Sequence, residues 1–430
     1  MNKEITRLAI PNILSNISIP LLSTVDVALM GHLSANHLGA VGIGAMIFNF
    51  IYWNFGFLRM GTTGMTAQAY GRGVAGELLL SLGRALLVAI GLAALLLLFQ
   101  QPIGRLGAYL MNTPLEQYDL VWRYFEVRIW AAPATLSLYA FLGWYFGMQN
   151  AIYPLLITIG VNVINVVCNL LFVWHYGMDV DGVALGTVIA QYTGLGLALF
   201  LWAYRYRYLW ASLDWESLFE WRPFRYFLTI NRDIFLRTLG LTFAMGFFFS
   251  QSGLAGPEVL AINTILMQFS SWMSYGVDGF AYAAESLVGK YKGADQEDKV
   301  RAAIDLSFQW GMGLALGYSL LYGLAGERLL TIFTDDPSLQ EASRPYLWWM
   351  VVLPLLSTPC FIWDGVFIGL TASRAMRNSM LLSLLVFLLV YYPTQTLLAN
   401  HGLWLAFILF MVARGLFQWQ LYARRGLALQ

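Results

Sequence analysis

Few charged residues read as lying at membrane depth: Asp26, Arg59, Arg128, Asp278, Glu285, Asp364 and Arg414. A charge at that depth costs roughly 2.5–3.5 kcal/mol on insertion scales, so it faces a cavity or a partner. Asp26 has no basic residue within one helical turn. Two readings are open for it: a hydrogen bond to a neighbouring helix, or a carboxylate that exchanges a proton or holds a cation. The second is favoured by its own segment, PNILSNISIPLLSTVDVALMGH, where Pro11 and Pro20 each remove a helix hydrogen bond and introduce a kink. An acid on a helix able to bend is the pattern of a moving part.

Polar side chains that could serve such an acid follow. Asn162, Asn165 and Asn169 are spaced three and four apart and share one helical face. Amides in lipid commonly glue helices together, and three on one stripe are equally able to bond a carboxylate or ligate a cation. Thr187 and Gln191 are four apart in the next apolar run. Further on, Asp278 and Glu285 lie seven apart, hence near one face, and Asp364 sits mid-span. Arg59 and Arg128 are expected to pair with acids or helix ends. Cys168 and Cys360 sit in apolar runs and read as core residues. The histidines, His32, His37, His175 and His401, lack ligand spacing to one another, so no metal site is expected.

These residues need a membrane frame. The chain of 430 residues is 59% hydrophobic and only 11% charged, with mean hydropathy +0.62. Soluble domains carry about a quarter charged residues, so this is an all-α polytopic membrane protein. The net charge of +1 gives no basic face for nucleic acid. Apolar runs parse into twelve spans. The first is 8–31, the fifth 151–175, the sixth 182–204, the seventh 225–254 and the tenth 343–372. Lys3 and Arg7 precede the first run, which reads as a span and not a removed signal. Basic residues such as Arg72, Arg205, Arg222, Lys290, Arg374 and Arg424 fall on one side of this parse, so both termini are expected in the cytoplasm.

The halves repeat. Leu38 and Gly71 match Leu260 and Gly293, and GWYFG from Gly143 matches GVFIG from Gly365, always at an interval of 222 residues. Six spans plus six make the repeats parallel, an arrangement of transporters with a midplane site between lobes. The expected organisation is an N-terminal lobe at 1–204, a cytoplasmic linker at 205–224 and a C-terminal lobe at 225–430.

At these residues the chain resembles the multidrug and toxic compound extrusion (MATE) family, and within it the DinF-like branch, over nearly its whole length. The motifs are VDVALMGHL around Asp26, LRMGTTGMTAQAYG from Leu58, RIWAAP to LGWYFGMQNA from Arg128, NVINVVCN from Asn162, VDGVALGTVIAQY from Val180 and VDGFAYAAE from Val277. The resemblance implies a V-shaped pair of six-helix lobes in a bacterial inner membrane. It implies export of amphipathic, cationic drug-like molecules by a monomer, coupled to H+ or Na+, with no other cofactor. By position, Asp26 matches the family's first-span aspartate, Asn165 its fifth-span asparagine, Thr187 its sixth-span threonine, Tyr124 a fourth-span tyrosine and Asp364 a tenth-span acid. Asp278 resembles the DinF-like pattern. Where many members carry a second aspartate, this chain has Asn169. That leaves Asp26 as the obvious titrating acid of its lobe and favours proton coupling, with Pro11 and Pro20 as hinges. Two rivals are a lipid-linked precursor flippase, which calls for a basic cavity, and a membrane-embedded transferase, which calls for a paired His and acid.

Overall fold

The computed structural model describes the backbone of residues 1–31, 35–212 and 214–426, and the side chains of those residues outside 19–35. Pro20 and Asp26 therefore fall in a helix whose side chains there lie outside the described residues. Among the described residues there is no strand. In chain order the helices are α1 (Asn2–Gly31), α2 (Ala35–Asn54), α3 (Phe57–Arg72), α4 (Ala75–Leu98), α5 (Gln100–Leu110), α6 (Leu115–Arg128), α7 (Ala132–Gly147), α8 (Ile152–Leu170) and α9 (Val180–Tyr206). They continue with α10 (Trp215–Leu218), α11 (Trp221–Leu254), α12 (Pro257–Gly293), α13 (Glu297–Phe333), α14 (Pro337–Ser343), α15 (Leu347–Gly369), α16 (Ser373–Leu398) and α17 (Asn400–Arg425).

Taking α2 with α3 and α6 with α7 as single passages, these make twelve transmembrane passages in two six-helix lobes, as the hydropathy parse anticipates. Eight described helical stretches are long and apolar enough to cross a membrane on length and composition alone. The remaining passages are α1, α6 with α7, α12 and α13. The short helix α5 begins within the third predicted span, 82–103, and runs on into the connection after it.

The internal repeat is written in the element boundaries. Helices α2, α4 and α6 begin at Ala35, Ala75 and Leu115, and α12, α13 and α14 begin at Pro257, Glu297 and Pro337, each 222 residues later. Packing repeats as well. Gly143 on α7 lies against the backbone carbonyl of Arg59 on α3, and Gly365 on α15 lies in the same way against the carbonyl of Ala281 on α12. Arg59 and Ala281 are again 222 apart. One helical turn on, Gly147 meets Thr66 and Ala67, while Gly369 meets their counterparts Val288 and Gly289. Only glycine allows backbone to approach backbone this closely across a helix pair.

The chain folds as two compact units, one of Leu14–Leu228 and one of Met1–Ile13 with Thr229–Gln430. Both crossings fall inside helices, α1 and α11. In the unit formed largely by the second half, the start of α1 packs on α12. Gly279 lies against Ile13 and the carbonyl of Ala9. The Glu4 carboxylate takes hydrogen bonds from Lys290 Nζ and Tyr291 Oη, both 2.9 Å. In the other unit, the start of α11 is buried through Phe227, which packs with Ala85 and Ala140. The connection before α11 is held to α4, since Arg84 donates to the Ser217 carbonyl at 2.6 Å. The core of that unit includes Trp144, Tyr145 and Tyr206, with Trp144 edge-on to Tyr206 at 4.9 Å. The polar ends of these rings are satisfied: Trp144 Nε1 donates to the Leu78 carbonyl at 2.8 Å and Tyr145 Oη to that of Ala198 at 2.7 Å.

Candidate functional site

In the unit of residues 14–228, the asparagine stripe of α8 turns its buried end toward α9. Asn169 Nδ2 donates to Asn165 Oδ1 at 3.2 Å, and Asn165 Nδ2 donates to Thr187 Oγ1 at 3.0 Å. Thr187 in turn donates to the Val183 carbonyl one turn back along α9, at 3.1 Å. Asn165 and Asn169 are both buried. The approach depends on Gly186, because a Cβ there would run into Asn169 Oδ1. Thus three of the residues singled out by spacing and resemblance, Asn165, Asn169 and Thr187, form one hydrogen-bonded chain. Beyond them α8 ends in a wide π turn at Leu171–His175, a feature that recurs at functional sites.

The third asparagine ties this chain to α1. Asn162 Nδ2 donates to Ser18 Oγ at 3.0 Å and contacts the Ser18 carbonyl at 3.4 Å. Ser18 precedes Asp26 by eight residues, about two helical turns or 12 Å of rise. The helix bearing Asp26 is therefore bonded to α8 on its approach to that position. Pro11 is half-buried in α1.

Tyr124 on α6 is fully buried, with its ring pressed on Gly44 of α2 and edge-on to Phe48 at 6.4 Å. Its hydroxyl accepts from Arg128 Nη1. The Arg128 guanidinium lies over the rings of Phe48 and Tyr124, 5.2 and 5.4 Å from their centroids. Arg59 lies 5.8 Å from the Phe146 centroid. Arg59 and Arg128 are thus each stacked on aromatic faces, a contact that offsets part of their desolvation.

The second unit concentrates charge on Asp364. Its Oδ2 accepts from Arg237 of α11 and, at 2.6 Å, from Arg414 of α17, while its Oδ1 accepts from Gln418 Nε2 at 2.6 Å. Asp278 on α12 is close enough to interact electrostatically with Arg414. One turn before Arg237, the buried carboxylate of Asp233 takes Arg377 Nη1 of α16 at 2.7 Å and Arg232 at 3.2 Å. Composition pointed to Asp364, Asp278 and Arg414 but passed over Asp233, Arg237, Arg377 and Gln418. The available signal was the NRDIFLR run at 231–237, which sets an acid and a base four apart inside an apolar segment. Among the described residues, no group of three or more His, Cys, Asp or Glu could hold a metal ion.

Comparison with known proteins agrees with this architecture. The MatE family model matches the chain twice, at residues 11–171 and 235–394, once in each half. The chain is 36% identical to the DNA damage-inducible protein F of Escherichia coli (strain K12) over 417 residues, covering 96% of this chain and 90% of that protein. It is also similar to a solved outward-facing multidrug resistance MATE transporter, with a TM-score of 0.90 at 18% identity over 100% of this chain and 96% of the other. A MATE structure in a bent conformation superposes with a TM-score of 0.90 at 19% identity, covering 99% and 96%.

Proposed function

The chain belongs to the MatE family of multidrug and toxin extrusion transporters, and on that premise we propose that it is a secondary active antiporter. It exports amphipathic, cationic organic compounds from the cytoplasm in exchange for protons, with both termini cytoplasmic and the chain resident in a bacterial inner membrane. The coupling carboxylate is Asp26. Its protonation removes a charge from the first lobe, changes the hydrogen bonding offered by Asn165, Asn169, Thr187 and Tyr124, and lets α1 bend at Pro11 or Pro20. Proton and drug need only bias that helix in opposite directions for their binding to be coupled.

The observation that carries this reading is the bond from Asn162 to Ser18, which fixes α1 to the amide stripe of α8 two turns before Asp26. MATE structures have been solved in a bent and in a straight conformation, which supports a chain able to bend here. Asn169, neutral where a second acid occurs in many members, favours H+ over Na+, since Na+ coordination wants several hard oxygens and compensating charge. The test is transport by proteoliposomes under separately imposed pH and Na+ gradients. Wild type should export an organic cation on the pH gradient, and Asp26→Asn should not. Export by Asp26→Asn at the wild-type rate would sink the mechanism.

A further inference from the structure

The second lobe holds a buried acid that the transport reading leaves without a task. Asp364 sits between helices from distant parts of the chain, bonded at both oxygens: Arg237 and Arg414 share Oδ2, and Gln418 takes Oδ1. Asp364, Arg237, Arg414 and Gln418 are all buried. A carboxylate so placed needs compensating positive charge, because burial strips its hydration. A bound cation or a proton would supply it. Here two guanidiniums already do, each bonded directly to the carboxylate.

We infer that Arg237 and Arg414 are the resident counter-cations of the second lobe, holding Asp364 in place of a coupling ion, so that cation exchange is confined to the first lobe. Arg237 and Arg414 are positioning residues: they join α11 and α17 to α15 through one acid. The planar, always-charged guanidinium suits this role, since it satisfies a carboxylate geometrically and does not titrate in the working range. A lysine or a hydrated cation would exchange more readily.

Only the last part of this inference rests on the antiport reading, and occupancy of Asp364 can be tested without transport. Purified full-length protein is melted in NaCl and in choline chloride at equal ionic strength. Asp364→Asn should leave the wild-type difference between the two salts unchanged. Arg414→Met removes a guanidinium that is bonded to Asp364 and interacts electrostatically with Asp278, so it should gain a Na+-dependent rise in melting temperature of several degrees. That gain should vanish in Arg414→Met/Asp364→Asn. Arg237→Met carries the same expectation should Arg414→Met fail to fold. The inference is overturned if Asp364→Asn abolishes a salt difference present in wild type, or if neither arginine variant acquires one. The outcome of the Asp26→Asn transport assay does not alter these melts.

Discussion

Gly143 and Arg59 meet backbone to backbone: the α-carbon of one occupies the space beside the carbonyl of the other, leaving none for a methyl group. Their counterparts in the second half, Gly365 and Ala281, repeat the contact. Alanine at either glycine must push a helix pair apart, and overpacking of this kind costs about 1–3 kcal/mol. Gly143→Ala and Gly365→Ala should both lower the melting temperature in detergent. Gly42→Ala is the control, because its Cβ would meet nothing within 4 Å, and it should be neutral or slightly stabilising. Equal melting of all three variants would contradict the packing.

The hydrogen bond from Asn165 to Thr187 predicts two unequal losses. Thr187→Val removes the acceptor and should cost about 1 kcal/mol. Asn165→Leu also strands the Asn169 amide that donates to it, and should cost about 1–3 kcal/mol. The double variant should fall short of the sum of the two, since both single changes break one shared bond. Additive losses would place the residues in separate networks.

Placing an acid at position 169 should change ion dependence. Asn169→Asp sets a carboxylate beside the Asn165 amide oxygen, in the buried space that Gly186 leaves open. Uptake of an organic cation into proteoliposomes driven by a Na+ gradient should then rise above the wild-type level. A variant that remains indifferent to Na+ would show that this position does not decide ion choice.

The anchor of the first helix should respond to acid. Burial pushes the Glu4 carboxyl up, but the hydrogen bonds from Lys290 and Tyr291 and the Lys290 charge outweigh it and hold the group below its ordinary value of 4.5. A carboxylate depressed in the folded state contributes stability above its unfolded pKa, and that contribution is lost as pH falls through the folded value. Lys290 is shifted the other way: burial lowers its value, and Glu4 more than restores it. Wild type should therefore lose stability relative to Glu4→Gln as pH drops below about 4.5. The difference should stay under about 1 kcal/mol, because the pair is partly exposed. Parallel acid melts for the two proteins would remove the anchor from the account.

Much of this architecture is legible in the residues themselves. Span length follows from apolar run length, and the duplication follows from glycines at a fixed interval, because glycine is required wherever helices touch through their backbones. The α8 stripe was readable for the same reason: periodicity alone puts Asn162, Asn165 and Asn169 on one face, and a short turn makes α9 the neighbour that supplies Thr187. Ion pairing in the second lobe was not readable in this way. Arg237, Asp364 and Arg414 come from three helices whose adjacency is set by tertiary packing, and no local pattern says which base reaches which acid. The start of α1 hid its partners likewise, since Lys290 and Tyr291 lie more than half the chain away.

The two crossings inside α1 and α11 carry a consequence for how such a molecule is built. These helices are the first passages of the two repeats, and each gives its opening turns to the opposite unit: Glu4 and Ala9 to α12, Phe227 to the pocket of Ala85 and Ala140. That is a reciprocal segment exchange, the geometry by which identical protomers become a swapped dimer. Neither half, expressed alone, should fold to completion, because each is missing a piece that only the other encodes.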